Sequence, residues 1–228
     1  MNSKSKKIPL TFSEYHRLHN VIHSLSENWN KNAGRSCVFF SIVGAALMHK
    51  HYALNAKVVC GSGAVMLDPK SETVISWFKQ NEDGTLTIGP EAFHAWIECD
   101  GWLIDLMAPN YREAMIGATF RIPAGKEGEK PTPFVVPRMM LQKPIDRTEG
   151  ALDDMSKAGD CVFVPDRDVT TSIIDRSFDR PQLGDIINIA YAWHRPLPKK
   201  MESSITITDD LGKLTTIALV KRDLVGAW

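Results

Sequence analysis

The segment that most restricts the fold is FHAWIECDGWLIDLMAPNY, residues 93–111, in which two apolar runs flank Asp100-Gly101. An Asp-Gly pair between two such runs is a strong short-range signal for a β-hairpin with a two-residue turn. A buried hairpin rarely carries charge, yet the first run contains His94 and the second contains Asp105. The segment therefore predicts two antiparallel strands that enter a core and bring a polar pair with them.

The two-residue turn also predicts which side chains meet. With this turn, Trp96 faces Asp105 across the hairpin, and His94 shares a sheet face with Trp96 by alternation. His94 and Asp105 are then diagonal neighbours, with Cβ atoms roughly 5.5–8 Å apart. A buried carboxylate is costly unless it is paired. We therefore expect Asp105 to accept a hydrogen bond from the imidazole and to fix its tautomer.

The residues before the hairpin predict two helices and a strand. A capping box at Thr11 opens an amphipathic helix. The run CVFFSIVGAALMHKHY is too apolar for a surface helix, so we predict a buried helix that begins at or near Cys37, with Ser36 or Gly34 at its cap. The β-branched and small residues of 55–67 predict a central strand.

The remaining segments predict a mixed α and β architecture. We expect a short helix at 71–80, an irregular proline-rich excursion or cleft-covering lid at 121–144, strands at 161–166 and 172–177, a helix at 183–194, and a hairpin turning at Asp209–Gly212. The fold class predicted is α+β, with N-terminal helices packed on an antiparallel sheet. We expect a single domain over residues 1–228, with a catalytic core at about 11–110 and C-terminal strands and a helix at 160–228.

Charge and composition narrow the classes of partner. The chain of 228 residues has a formal net charge of zero, which argues against general binding to nucleic acid or to anionic membranes. No apolar run approaches the roughly 20 residues that span a bilayer, and no apolar segment follows the basic N-terminus as in a signal peptide. The four cysteines lack CxxC spacing. These features predict a cytoplasmic protein with free thiols and without a cofactor.

Cys37 is the best candidate for the group that a His–Asp pair would activate. It lies where a loop enters a long apolar helix, and the unpaired backbone N–H groups there favour a thiolate and could hold an oxyanion. Asn30 or Asn32 could supply a second oxyanion donor. The order and spacing of Cys37, His94 and Asp105 fit a Cys–His–Asp triad.

Three segments, GRSCVFFSIV, YALNAKVVCG and HAWIECDGWLID, together resemble the transglutaminase-like branch of the papain-like cysteine enzymes. The resemblance covers roughly residues 34–110, and His-Ala-Trp followed by Gly-Trp-x-x-Asp is its most specific part. It implies that Cys37 is the nucleophile, His94 the base and Asp105 the orienting acid. It also raises the expectation of a bacterial family of unassigned function on that fold, and it implies neither a substrate nor a calcium site.

The expected function is acyl transfer through an acyl-Cys37 intermediate, most simply as an amidase or peptidase-type hydrolase acting on a peptide, amide or thioester. Transfer to an amine, a papain-like module that binds without chemistry, and a zinc site made by the triad side chains are the alternatives. Trp96 could wall the substrate cleft, although it also suits the core. The histidines of the first helix, His16, His19 and His23, are interpreted as a partly solvated flank rather than a metal site.

Overall fold

The computed structural model describes residues 7–29, 36–80, 86–89, 92–115 and 135–228. These residues form five α-helices and eleven β-strands. In chain order they are α1 Phe12–Trp29, α2 Cys37–Tyr52, β1 Ala56–Asp68, β2 Thr73–Trp77, β3 Lys79–Gln80, β4 Leu86–Thr87, β5 His94–Cys99, β6 Trp102–Asp105, α3 Tyr111–Ala114, β7 Met139–Pro144, β8 Cys161–Pro165, α4 Arg167–Phe178, α5 Gln182–Trp193, β9 Ser204–Thr208, β10 Leu214–Ala218 and β11 Gly226–Ala227. The predicted α+β class is confirmed at this level.

A seven-stranded sheet forms the centre of the fold, with the strand order β11-β7-β6-β5-β1-β2 and with β8 also paired to β1. All its pairs are antiparallel except β11 with β7. The 13-residue β1 is central, as predicted, because it pairs with β5 along its first half and with β8 and β2 along its second half. A long strand with partners on both edges is the element that places β5 and its histidine.

The hairpin at Asp100-Gly101 has the predicted two-residue turn. Asp100 and Gly101 have φ angles of 51° and 79°, which is the pair of positive φ values that a type I′ turn requires. Cys99 pairs with Trp102 directly across it, so the predicted register is confirmed. The hairpin strands are buried along almost their whole length.

The two N-terminal helices begin where the sequence indicates. The Thr11 N–H donates to Glu14 Oε2 at 2.8 Å, and the Glu14 N–H donates to Thr11 Oγ1 at 3.3 Å, which completes the predicted capping box. The second helix begins at Cys37, with Ser36 as its N-cap residue. Both helices bury apolar side chains against the Ile97 and Ile104 face of the hairpin, whereas Trp96 and Leu103 lie in a second cluster on the other face.

Three segments differ from the prediction. Residues 73–80 are strands β2 and β3 rather than a short helix, because Thr73–Trp77 pairs with the second half of β1. Residues 172–177 are not a strand but part of α4, whose N-cap Asp166 accepts a hydrogen bond from the Val169 N–H. Part of the predicted irregular excursion, Met139–Pro144, is β7 and pairs with β6. Residues 121–134 of that excursion lie outside the described residues, and residues 135–138 have no regular secondary structure.

The other C-terminal predictions agree with the structure. The strand at 161–165, the helix at 182–193 and the hairpin joined through Asp209–Gly212 are all present. In the described residues, no helix is long and apolar enough to cross a membrane.

Candidate active site

The His94–Asp105 pair is the centre of the candidate site. His94 Nε2 lies 2.7 Å from Asp105 Oδ2, and both side chains are buried, at 0% and 1% exposure. Antiparallel pairing of β5 and β6 makes the two residues diagonal neighbours on one face. The hydrogen bond predicted from the two-residue turn is therefore confirmed.

Asp105 is held by a set of donors that converge on its carboxylate. Besides His94, the Tyr111 hydroxyl donates to Oδ2, and the Met107 N–H donates to Oδ1 at 2.8 Å. The Tyr15 hydroxyl donates to the Asp105 backbone carbonyl and ties α1 to the same strand. A buried carboxylate with this many charge-assisted hydrogen bonds keeps its orientation without solvent.

Cys37 is a neighbour of the His94 imidazole. Because Asp105 occupies Nε2, Nδ1 is the nitrogen left for the sulfur, and Nδ1 is buried without a partner in hydrogen-bond geometry among the described residues. The Cys37 side chain is nevertheless close enough that its hydrogen bonding and charge raise the pKa of His94. Cys37, His94 and Asp105 are thus neighbours in the fold.

The groups around His94 favour a protonated imidazole. Burial by itself lowers the pKa of His94, but the Asp105 charge, its hydrogen bond and the Cys37 side chain outweigh burial and raise the pKa to about 9. Tyr111 stays a hydroxyl donor because burial and the Asp105 charge raise its pKa well above the ordinary value. At neutral pH the pair is therefore an imidazolium beside a carboxylate, with the Cys37 side chain nearby.

Trp77 covers one face of the imidazole. Its ring lies 3.9 Å from the His94 ring, centroid to centroid, at an interplanar angle of 18°. An indole face in this position attracts a cation and excludes water from the ring. The sequence interpretation missed Trp77 because it placed residues 71–80 on a helix, and the signal that could have found it is the alternation of Thr73, Ile75 and Trp77.

Cys37 differs from the other three cysteines. It is half-buried, whereas Cys60, Cys99 and Cys161 are buried. Burial, aided by neighbouring negative charge, raises the pKa of the Cys60 thiol to about 12 and the pKa values of Cys99 and Cys161 to about 11. These three thiols are therefore inert at neutral pH.

Other predicted site residues do not join this arrangement. Asn30 and Asn32 lie outside the described residues. Trp96 is 1% exposed, packs edge-on against Phe163 and donates its indole N–H to Glu98, so its position suits the core rather than a substrate contact. Tyr111 and Met107 were missed as site residues, since both lie beyond the hairpin in a segment without periodicity.

The predicted partly solvated flank is wrong for two of the three α1 histidines, because His19 and His23 are fully buried, whereas His16 is half-buried. Their rings stack with centroids 5.6 Å apart, and His19 Nδ1 lies 2.9 Å from the Leu106 carbonyl oxygen. Within the described ranges, no three or more His, Cys, Asp or Glu side chains are grouped as a metal ion requires. Both carboxylate oxygens of Asp105 are already engaged by protein donors.

Comparison with known proteins gives a family but no activity. A family model described as "Protein of unknown function (DUF2026)" matches residues 11–228. A solved structure described as "The crystal structure of genomics APC5867" is similar, with a TM-score of 0.81 and 28% sequence identity over 99% of this chain and 100% of its own. No curated protein matches. The chemistry must therefore be argued from the side chains.

Proposed function

We propose that this chain, which belongs to the family described as protein of unknown function (DUF2026), is a thiol-dependent acyl-transfer enzyme. It would act as an amidase or peptidase-type hydrolase through an acyl-Cys37 intermediate. The observation that carries the proposal is a buried imidazole that bonds Asp105 at 2.7 Å and lies close enough to Cys37 for that side chain to raise the pKa of His94. The fold that goes with it is a single papain-like domain of the transglutaminase-like branch.

The pKa of His94 defines the resting state of the proposed enzyme. An imidazole with a pKa of about 9 carries a proton at neutral pH, and a cationic imidazole beside a sulfur favours the thiolate as the attacking form. The site then differs from a neutral Ser–His pair, in which the imidazole must first remove the proton of the nucleophile. In this protein His94 acts first as an acid.

The reaction proceeds in two steps. The Cys37 thiolate attacks the acyl carbonyl carbon and forms a C–S bond, while the bond to the leaving group breaks and that group takes the proton of His94. Water then attacks the thioester, gives one proton to His94, and releases the acid and the Cys37 thiolate. N–H groups at the start of α2 would stabilise each oxyanion. Hydrolysis is favoured over transfer because water needs no second binding site.

Selective alkylation tests the activated thiol. We expect iodoacetamide at pH 7 to label Cys37 before the three buried cysteines, with the positions mapped by peptide mass spectrometry. His94→Gln should slow labelling roughly tenfold or more, because a thiol without its imidazolium is only a few per cent thiolate at this pH. His16→Gln on the outer part of α1 is the matched control and should label as the wild type does.

Acylation tests the chemistry itself. Incubation with p-nitrophenyl acetate should leave an acetyl group on Cys37, and Cys37→Ala should accept none. The proposal fails if Cys37 is alkylated no faster than Cys99, or if the ester acylates His94→Gln as fast as the wild type.

A further inference from the structure

The indole of Trp228 stacks on Tyr111, the residue whose hydroxyl donates to Asp105. The two ring centroids lie 5.9 Å apart, and the ring planes are 24° from parallel. This geometry is typical of an offset-stacked aromatic pair. Tyr111 is the only ring partner of Trp228 among the described residues, so this stack is the contact through which Trp228 can act on the candidate site.

Backbone hydrogen bonds fix Trp228 at this position. It directly follows β11, which pairs in parallel with β7, and its N–H donates to the Met140 carbonyl oxygen at 3.0 Å. Strand β7 in turn pairs with β6, the strand that carries Asp105. Trp228 is therefore attached to the same sheet as the Asp105 carboxylate.

Gly159 provides the wall against which the Trp228 side chain packs. A Cβ atom at position 159 would lie 2.3 Å from the Trp228 Cβ, a distance that real side chains do not adopt, and the φ angle of Gly159 is 84°. The Gly159 N–H donates to the Met66 carbonyl oxygen at 2.7 Å, and the Lys143 ammonium donates to the Gly159 carbonyl. The wall is thus fixed by its own hydrogen bonds.

We infer that Trp228 is a positioning residue for the candidate site. Its indole holds the Tyr111 ring so that the phenol hydroxyl stays on Asp105, which in turn orients His94. A tyrosine side chain can rotate about its Cα–Cβ bond, and rotation would take the hydroxyl away from the carboxylate. Packing against Trp228 removes that freedom before a substrate binds. The inference rests on the proposed function, because the orientation of His94 matters for acyl transfer at Cys37.

Trp77 also contacts Tyr111, but its position gives it a different role. Its ring lies 5.3 Å from the Tyr111 ring, centroid to centroid, at an angle of 51°. Trp77 also covers the His94 ring, so a change at Trp77 alters the surroundings of the imidazole and of the phenol together. Trp228 is therefore the residue at which the support of the Tyr111 hydroxyl can be changed separately.

Exchange of the His94 Nε2 proton with water tests the inference without any substrate. This proton lies in the hydrogen bond to Asp105 and is observed by NMR at pH 7. We expect Trp228→Ala to speed its exchange roughly tenfold, the equivalent of one hydrogen bond to a charged group. Trp228→Phe keeps an aromatic face and should restore exchange close to the wild-type rate. Val225→Ala, at 72% exposure beside the same strand, is the matched control and should exchange as the wild type does.

A double-mutant cycle with Tyr111→Phe separates positioning from a general loss of packing. Tyr111→Phe removes the hydroxyl itself and should speed exchange by the same factor as Trp228→Ala. Because Trp228 acts through that hydroxyl, the double variant should also exchange about tenfold faster, whereas independent effects would multiply to about a hundredfold. An unchanged rate in Trp228→Ala, no recovery in Trp228→Phe, or a double variant near a hundredfold would overturn the inference.

Acylation of Cys37 by p-nitrophenyl acetate in the same proteins keeps the inference and the proposed function apart. The rate of acetyl transfer should fall roughly tenfold in Trp228→Ala and recover in Trp228→Phe. An unchanged acylation rate in Trp228→Ala would overturn the inference and leave the proposed function standing. A wild type that takes no acetyl group would refute the proposed function, while proton exchange still decides whether Trp228 positions the pair.

Discussion

Histidines are buried at two places in the fold, on the hairpin around His94 and on the buried face of α1. Their pKa values shift in opposite directions at these two places. His94 is fully buried, and the Asp105 charge raises its pKa to about 9 in spite of that burial. His19 is equally buried, but no carboxylate compensates, and burial lowers its pKa to about 3. Burial and the Arg222 charge lower the pKa of His23 to about 4, although Glu27 Oε1 lies 3.8 Å from its Nε2, beyond hydrogen-bond distance.

The difference shows that burial alone makes a histidine neutral and structural. Desolvation penalises the charged form at both places, so a charged imidazole in this protein needs a carboxylate within hydrogen-bond distance. The chain provides that carboxylate at one of these two places, where Asp105 is in turn held by Tyr111 and the Met107 N–H. The same arrangement is the one that faces Cys37.

Removal of the Asp105 carboxylate should cause the largest loss of stability among the variants that test this difference. Asp105→Asn leaves His94 buried without its counter-charge, and breaking a buried ion pair typically costs about 3–5 kcal/mol in the free energy of unfolding. Urea denaturation at pH 7 measures this loss in the free energy of unfolding, and Asp175→Asn, at an exposed position, is the matched control. A loss of less than about 1 kcal/mol would mean that the pair is not charged in the folded state.

Removal of one donor to Asp105 should have a smaller effect of the same kind. Tyr111→Phe keeps the ring, which stacks on Trp228, but removes the hydroxyl that donates to Asp105. A hydrogen bond to a charged group contributes about 1.5–3 kcal/mol, so we expect a loss of that size in urea denaturation. Tyr191→Phe, on the half-buried face of α5, is the control. An unchanged stability would show that Tyr111 does not support the carboxylate.

The α1 histidines should give the smallest effect, which appears only with acid. The folded pKa of His19 is about 3 and its unfolded pKa is about 6.5. Between these values the unfolded chain binds a proton that the folded chain does not, so stability falls as the pH drops below 6.5. His19→Asn keeps an N–H for the Leu106 carbonyl. Between pH 7 and pH 5, its free energy of unfolding should fall by up to about 2 kcal/mol less than that of the wild type.

Denaturation of both proteins at the two pH values measures this difference. The control is His16→Asn, at a half-buried position of α1. Identical acid losses in the wild type and in His19→Asn would show that His19 is not held neutral by burial.

The sequence predicted the parts of the site that depend on local geometry. Asp100-Gly101 permits the two positive φ values of the turn, and that turn alone places His94 diagonal to Asp105. The capping box at Thr11 and the start of α2 at Cys37 are equally local signals. These are the elements in which neighbouring residues determine the conformation without help from distant strands.

The parts that were missed depend on partners far along the chain. Residues 73–77 become a strand because β1 offers them an edge, and their own alternation, with Thr73, Ile75 and Trp77 on one face, spans only five residues. Trp77 reaches His94 only as a result of that pairing. Tyr111 likewise reaches Asp105 because a turn of 3-10 helix, Ala108–Asn110, precedes it, and no sequence periodicity predicts that turn. Non-local pairing of this kind cannot be read from a short window.

The direct test of the central claim is the titration of His94 by NMR, with the imidazole nitrogens observed from pH 5 to pH 10. The account predicts an imidazolium at pH 7 that loses its proton near pH 9, so that the stability it contributes is fully present below pH 6.5 and is lost as the pH rises through 9. A ring that is already neutral at pH 7 would contradict the account.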